Sequence, residues 1–148
     1  MKPLKLTIQA FSAYLNKTVI DFEELNKRGL YLICGDTGSG KTTIFDAICF
    51  ALYKETSGTS RSHDIFRSHY ASYNIPTIVE LTFMLNSKVY TVHREHKYSK
   101  TGKTATDNDY ILSSDKTISG VIKVNEKMKE LLQVDVRQFR QIVMIAQG

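Results

Sequence analysis

Apolar and polar residues alternate from the start of the chain: Leu4, Leu6, Ile8 and Ala10 are separated by Lys5, Thr7 and Gln9, the period of two that gives a strand one buried face. Val19 to Phe22 is the nearest segment able to pair with it. Leu30 to Cys34 is a short unbroken apolar run, of the length expected for a buried parallel strand. The period then changes. Ile44, Phe45, Ala47, Ile48, Phe50, Ala51 and Leu52 cover nearly the whole circumference of a helix, which predicts one buried in a layered domain. Between Thr56 and Asn74 no period holds, and the Ser, Gly, Arg and His content predicts a long irregular connection, a place where function often resides.

Alternation returns at Thr77, Val79, Leu81, Phe83 and Leu85, and again from Val89 to Glu95, with Asn86 and Ser87 between. This predicts a second, antiparallel sheet. Tyr110 to Leu112 adds a strand, and Met128, Leu131 and Leu132 form a helical stripe. A short helix is expected over Asp135 to Gln141, with Asp135 as its N-cap, and Ile142 to Ala146 reads as another buried strand ending at Gln147.

A chain of 148 residues with 42% hydrophobic content can bury one core, so a single domain over 1–148 is expected. No run approaches the ~18 apolar residues that cross a bilayer, and Met1 to Ala10 lacks the form of a signal peptide, so a cytoplasmic address and no membrane contact are expected. The net charge of +5 permits a polyanionic partner without requiring one. Lys97, Lys100 and Lys103, with Tyr98, read as an exposed hairpin tip. Cys34 and Cys49 sit in apolar segments and are expected to act as small hydrophobes. His63 and His69 fall in the irregular loop, while His93 and His96 fall on opposite strand faces. Neither pair has zinc spacing, and all four are expected to be solvated. Arg94 is expected to pair with Glu80 across the hairpin, contact with DNA being the alternative.

The strongest chemical signal is GDTGSGKTT at residues 35–43, which fits the phosphate-binding P-loop without mismatch. Gly35, Gly38 and Gly40 let the backbone curl with its N–H groups inward. Lys41 adds a full charge, the helix beginning there aims free amides and its positive dipole end at the same anion, and the Thr42 hydroxyl is placed to ligate magnesium. A short apolar strand before the loop and a buried helix after it are the context the motif requires. Hydrolysis needs a further acid at a strand end, and none is convincing: Asp21 lies on an edge hairpin, Asp135 caps a helix and Glu80 points away from the apolar face. The residues alone leave open a small self-sufficient P-loop kinase, or a module in which nucleotide only orders an interface.

Four segments, in order, carry a resemblance: MKPLKLTIQAF, GLYLICGDTGSGKTTIFDAICFALY, FRSHYAS and FRQIVMIAQG. Together they resemble the N-terminal part of the SbcC family, bacterial ABC-type, chromosome-maintenance-like ATPases of double-strand-break repair. The resemblance leaves room for a related ATPase of RecN or RecF type. It implies an α/β P-loop NTPase fold, the N-terminal lobe of a split ABC-ATPase head, with a mixed central sheet plus a flanking antiparallel sheet. The coiled coil and the C-terminal lobe, with the missing acid, would lie outside this chain.

The same resemblance implies that Gly35, Asp36, Thr37, Gly38, Ser39, Gly40, Lys41, Thr42 and Thr43 wrap the phosphates of ATP, and that Thr42 and the Q-loop residue Gln147 hold Mg2+. Lys41 and Gln147 would be the catalytic residues. Ser12 and Ala13, and Arg67 with Ser68, would approach the base, sugar or α-phosphate, although the family often has Gly-Pro where this chain has Ser12 and Ala13. The implied partners are the C-terminal lobe, a second ATPase head, an SbcD-type nuclease subunit and DNA, with the protein at the nucleoid. The lobe alone would bind ATP without significant turnover.

Overall fold

The alternation at the N-terminus becomes strand β1 (Lys2–Gln9), whose Leu4, Leu6 and Ile8 are buried while Lys5 is exposed. A computed structural model describes residues 1–25, 33–55, 66–99 and 104–143. β2 (Thr18–Asp21) pairs antiparallel with one edge of β1, and β3 (Thr77–Leu85) pairs antiparallel with the other. β3 turns into β4 (Lys88–Tyr98) through Asn86 and Ser87, both at positive φ (49° and 63°), the left-handed pair that a two-residue hairpin needs to match strand twist. β5 (Thr104–Asp107) and β6 (Tyr110–Ser113) share the far edge of β4, and β7 (Thr117–Ser119) pairs with β6.

All these pairings belong to one sheet in the order β2-β1-β3-β4-β6-β7, with β5 on β4. The expectation of two sheets is therefore corrected among the described residues. An isolated hairpin is marginal in water, and β1, with both edges free, joins the two predicted hairpins into a single antiparallel surface. The mixed sheet expected around Leu30–Cys34 lies mostly outside the described residues, and Ile33 and Cys34 are in no strand. The segments 104–107 and 117–119 were too short and polar for their strands to be read from the sequence.

Helix α1 (Phe22–Leu25) begins where Asp21 Oδ1 accepts the Glu23 N–H at 2.9 Å, a capping role. Helix α2 (Lys41–Tyr53) lies on the apolar face of the sheet against β3 and β4, its Ala47, Phe50 and Ala51 packed in one core with Leu6, Ile8, Val79, Leu81 and Val92. The helix is less enclosed than its apolar pattern suggested, because Phe45 and Thr42 are exposed. Helix α3 (Val121–Leu132) closes the β6–β7 end through Val124 and Met128. Helix α4 (Val136–Val143) starts on a reciprocal cap: Asp135 Oδ1 accepts the Gln138 N–H at 2.8 Å, while Gln138 Oε1 accepts the Asp135 N–H at 2.9 Å. It runs through Ile142 and Val143, so the strand expected from Ile142 is corrected there. A short apolar run cannot distinguish strand from helix, and the cap decides. Residues 144–148 lie outside the described part.

The register also corrects the polar pairs. Glu80 stands opposite His93, not Arg94. His93 Nδ1 lies 2.9 Å from Glu80 Oε2, and its ring stacks on Tyr110 with centroids 4.5 Å apart. Arg94 points to the other face, wholly buried, where it donates to Ala51 O (3.0 Å) and Asp109 Oδ2 (2.9 Å). Lys54, the left-handed residue ending α2 (φ 59°), reaches Asp107 at 2.7 Å and Asp109 at 3.0 Å. His96 joins through Asp107 and stands against Phe50. His93 and His96 are thus buried rather than solvated, because each finds a carboxylate; His69 is exposed and His63 lies outside the described residues. Of the hairpin-tip residues, Lys97 is exposed beside Glu95 (3.6 Å) and Tyr98 lies under Arg67 (4.1 Å), while Lys100 and Lys103 lie outside the described residues.

This network gives stability a pH dependence. Burial pushes the His96 imidazole below its ordinary 6.5, against the pull of Asp107. Burial works to raise Asp107, but the Lys54 hydrogen bond and the neighbouring positive charges outweigh it and hold the carboxyl below 3.8. The hydrogen bond with His93 holds Glu80 below 4.5. In each case the unfolded chain binds the proton more readily, so the stabilisation is present above the unfolded value and is lost as pH falls. Melting temperature should therefore fall in two legs on acidification, the first below 6.5 and the second below 4.5. His96→Asn should remove the first leg and, because His96 also helps hold Asp107 down, reduce the second without abolishing it; a melting temperature flat from pH 7 to 5 in the native chain would contradict this.

Candidate functional site: a glycine-rich loop at a helix N-terminus

The loop runs from Gly35 into α2 and is built from its own backbone. Ser39 N–H donates to Asp36 O at 3.1 Å, turning the chain. Gly38 (φ 85°) and Gly40 (φ 89°) take left-handed conformations that side-chain-bearing residues rarely adopt, and a Cβ on Gly35 would lie 2.7 Å from Ser39 Oγ. Gly40 occupies the cap position of α2 with no side-chain acceptor, so it leaves uncapped the first amides of the helix, which by helix geometry have no intrahelical partner. Lys41 folds back over the loop, its Nζ donating to Gly35 O at 2.5 Å and Asp36 O at 2.6 Å. Among the described residues Lys41 has no carboxylate partner; its charge is met by the two carbonyls and, at 3.5 Å, by Ser39 Oγ.

These features fit a polyphosphate. Left-handed glycines, the positive end of a 13-residue helix and an ammonium with no carboxylate partner among the described residues all lie within this one short loop. Thr42 is exposed in the first turn, where its hydroxyl is free to meet a cation carried by the phosphates. Among the described residues no group of three His, Cys, Asp or Glu side chains is arranged to hold a metal by itself. Thr43, by contrast, is buried and directs its hydroxyl to Ser12 Oγ at 3.4 Å.

The other predicted residues separate. Ser12 and Ala13 form a two-residue turn closed by mutual Phe11–Tyr14 backbone bonds of 2.9 Å, and this turn lies against Gly40. Ser12 holds φ 49°, a left-handed conformation that glycine takes more readily than serine. Arg67 and Ser68 adjoin the turn through the backbone: Phe11 bridges Arg67, Ser12 N–H donates to Phe66 O at 2.6 Å and Ser68 N–H to Ala10 O at 3.0 Å. The Arg67 side chain is engaged elsewhere. It donates to Ile75 O (3.0 Å), Ala71 O (3.1 Å) and Ser72 O (2.6 Å), and lies over the Tyr98 ring. Ser68 is buried. Gln147 lies outside the described residues. Cys34, next to the loop, is exposed rather than buried, whereas Cys49 is enclosed and burial pushes its thiol up to about 12.

Sequence reasoning passed over Tyr14, whose ring rests on Gly40. Its signal was the short polar turn between Phe11 and Tyr14. A cleft of about 630 Å³ lies between the end of α2, α3 and α4, lined by Leu52, Tyr53, Met128 and Val134 among others. It holds no glycine nest, so the chemistry points to the loop instead.

The chain belongs to the AAA domain family, whose model matches residues 5–148. Over its whole length it is 40% identical to the N-terminal region of the SbcC component of nuclease SbcCD from Staphylococcus saprophyticus, and 39% identical to that of Staphylococcus aureus strain MRSA252. The chain spans 15% of the length of these relatives. No helix among the described residues is long and apolar enough to cross a membrane.

Proposed function

We propose that this chain is the N-terminal lobe of a split, SbcC-type P-loop ATPase head, and that residues 35–43 hold the triphosphate of Mg-ATP. The observation that carries the reading is Lys41: a charged head held among loop carbonyls at the start of a buried helix, with no acid to neutralise it among the described residues. Lys41 would exchange Gly35 O and Asp36 O for β- and γ-phosphate oxygens, a stronger, charge-assisted pairing. The amides from Gly38 to Thr43 would face the same oxygens. Magnesium, when bound, supplies charge neutralisation between the phosphates; Thr42 would hold it here, with Gln147 as second ligand and orienter of the attacking water.

Apart from Asp36 in the loop itself, none of the acids weighed for activating water stands at that pocket among the described residues. Asp21 caps α1, Asp135 caps α4 and Glu80 pairs with His93. Completion by a C-terminal lobe, and by a second head meeting the first across ATP, accounts for the deficit. In the whole protein, closure on ATP would gate an SbcD-type nuclease subunit acting on DNA, at a cytoplasmic, nucleoid-associated location. The nuclease SbcCD naming of the relatives supports that setting.

A phosphate-release assay tests the division of labour. The 148-residue chain alone should show no turnover above background, and adding the separately expressed C-terminal lobe should restore it. Turnover by the chain alone that disappears in Lys41→Ala would contradict the split pocket.

A further inference from the structure

We infer that Tyr14 is a positioning residue of the phosphate loop, holding Gly40 from behind so that the amides beginning α2 keep their direction. The inference rests on the triphosphate reading above. Gly40 is the pivot of the loop: it is buried, left-handed (φ 89°, ψ 13°) and immediately precedes Lys41. Nothing on its own residue fixes it, since it has neither side chain nor side-chain cap. Its open face is filled by the Ser12–Tyr14 turn instead. A Cβ placed on Gly40 would stand 3.2 Å from Tyr14 Cε2, 3.4 Å from Tyr14 Cζ and 3.4 Å from Ala13 Cβ, so the ring covers the glycine directly. The Tyr14 hydroxyl also faces Gly40 O, at 3.5 Å.

The brace is itself anchored. The turn is closed at its base, just past β1, by Ala10 N–H donating to Leu15 O at 3.1 Å, and is tied to residue 66 by Ser12 N–H and to the first turn of α2 by the Thr43 and Ser12 hydroxyls. Below it, Phe11 stacks on Phe66 at 5.4 Å and meets Phe50 of α2 at 5.5 Å. The ring therefore belongs to the sheet side of the molecule and presses on the loop side. A left-handed glycine has alternative conformations within easy reach, and one rotation at Gly40 would turn the following amides away from the phosphates. Tyr14 blocks that rotation sterically, by its ring rather than by its hydroxyl.

The test uses the longest native polypeptide that carries this chain, with dissociation constants for Mg-ATP and for magnesium tripolyphosphate, and the melting temperature, measured on the native protein, Tyr14→Phe and Tyr14→Ala. Misdirected amides should raise both constants by the same factor in Tyr14→Ala, about tenfold to a hundredfold. Tyr14→Phe keeps the ring and should stay within about twofold, because a 3.5 Å hydroxyl contact contributes little. Tyr14→Ala protein that melts lower but binds both ligands with native constants would overturn the inference, leaving the ring a mere packing element. So would a loss confined to Mg-ATP and absent for tripolyphosphate, which would assign the ring to the base. Lys41→Ala, run alongside, separates the two levels: if it binds tripolyphosphate as the native protein does, the loop is not the site and the triphosphate reading has failed.

Discussion

Lys41→Ala will abolish measurable triphosphate binding while leaving the fold in place. Each charge-assisted hydrogen bond to a phosphate oxygen is worth about 1.5–3 kcal/mol. Loss of contacts to both the β- and γ-phosphates therefore weakens binding by roughly a hundredfold to ten-thousandfold, at about 1.4 kcal/mol per tenfold. The fold should not register the change, because the groups Lys41 now satisfies, Gly35 O and Asp36 O, are on exposed residues that water can hydrate in its place. Equilibrium dialysis against labelled ATP and a thermal melt are the two measurements. Arginine at this position restores the charge but not the compact head, and should recover only part of the affinity. Native-like binding by Lys41→Ala would remove the basis of the functional reading.

The largest effect on stability is expected from Asp109→Ala, far from the loop. Asp109 is buried to 2% exposure, and its Oδ2 accepts from both Arg94 and Lys54, themselves buried. Removing the carboxylate leaves Arg94 without its ion-pair partner, with Asp107 acting on it only at longer range, and Lys54 with Asp107 alone among the described residues. Breaking a buried pair by deleting one partner costs about 3–5 kcal/mol, and here two cations share the loss. For a chain of this size that lowers the melting temperature by about 10 °C. The same substitution should uncouple the end of α2 from β4 and β6, since Arg94 also satisfies Ala51 O and Lys54 terminates the helix. Exchanging the charged trio together for apolar residues of similar volume should cost far less than Asp109→Ala alone, because no charge is then stranded. A melting temperature within about 2 °C of native in Asp109→Ala would show that the cluster is solvated.

What the sequence made legible follows a physical division. Period-two alternation identified β1, β3 and β4, because one-sided burial leaves a regular trace, and the glycine spacing of residues 35–40 identified the loop, because only glycine takes those conformations readily. The sheet's connectivity was not legible. Alternation says which face of β1 is buried but not which strands use its two edges. Register was equally hidden, and a displacement of one residue separates the expected Arg94–Glu80 pair from the actual His93–Glu80 pair and the buried Arg94–Asp109 pair. The buried network escaped notice because its members, Lys54, Arg94, His96, Asp107 and Asp109, look like surface residues one at a time. In the candidate site, Arg67 bears the charge expected of an anion ligand, yet local carbonyls claim it, a competition that residue identity alone does not reveal.

Amide hydrogen exchange with and without Mg-ATP tests the central claim most directly. The phosphate-cradle account predicts slowed exchange at Gly38, Ser39, Gly40, Lys41, Thr42 and Thr43 on nucleotide addition, lost in Lys41→Ala. Protection centred on the cleft between α2, α3 and α4, with residues 38–43 exchanging as before, would contradict it.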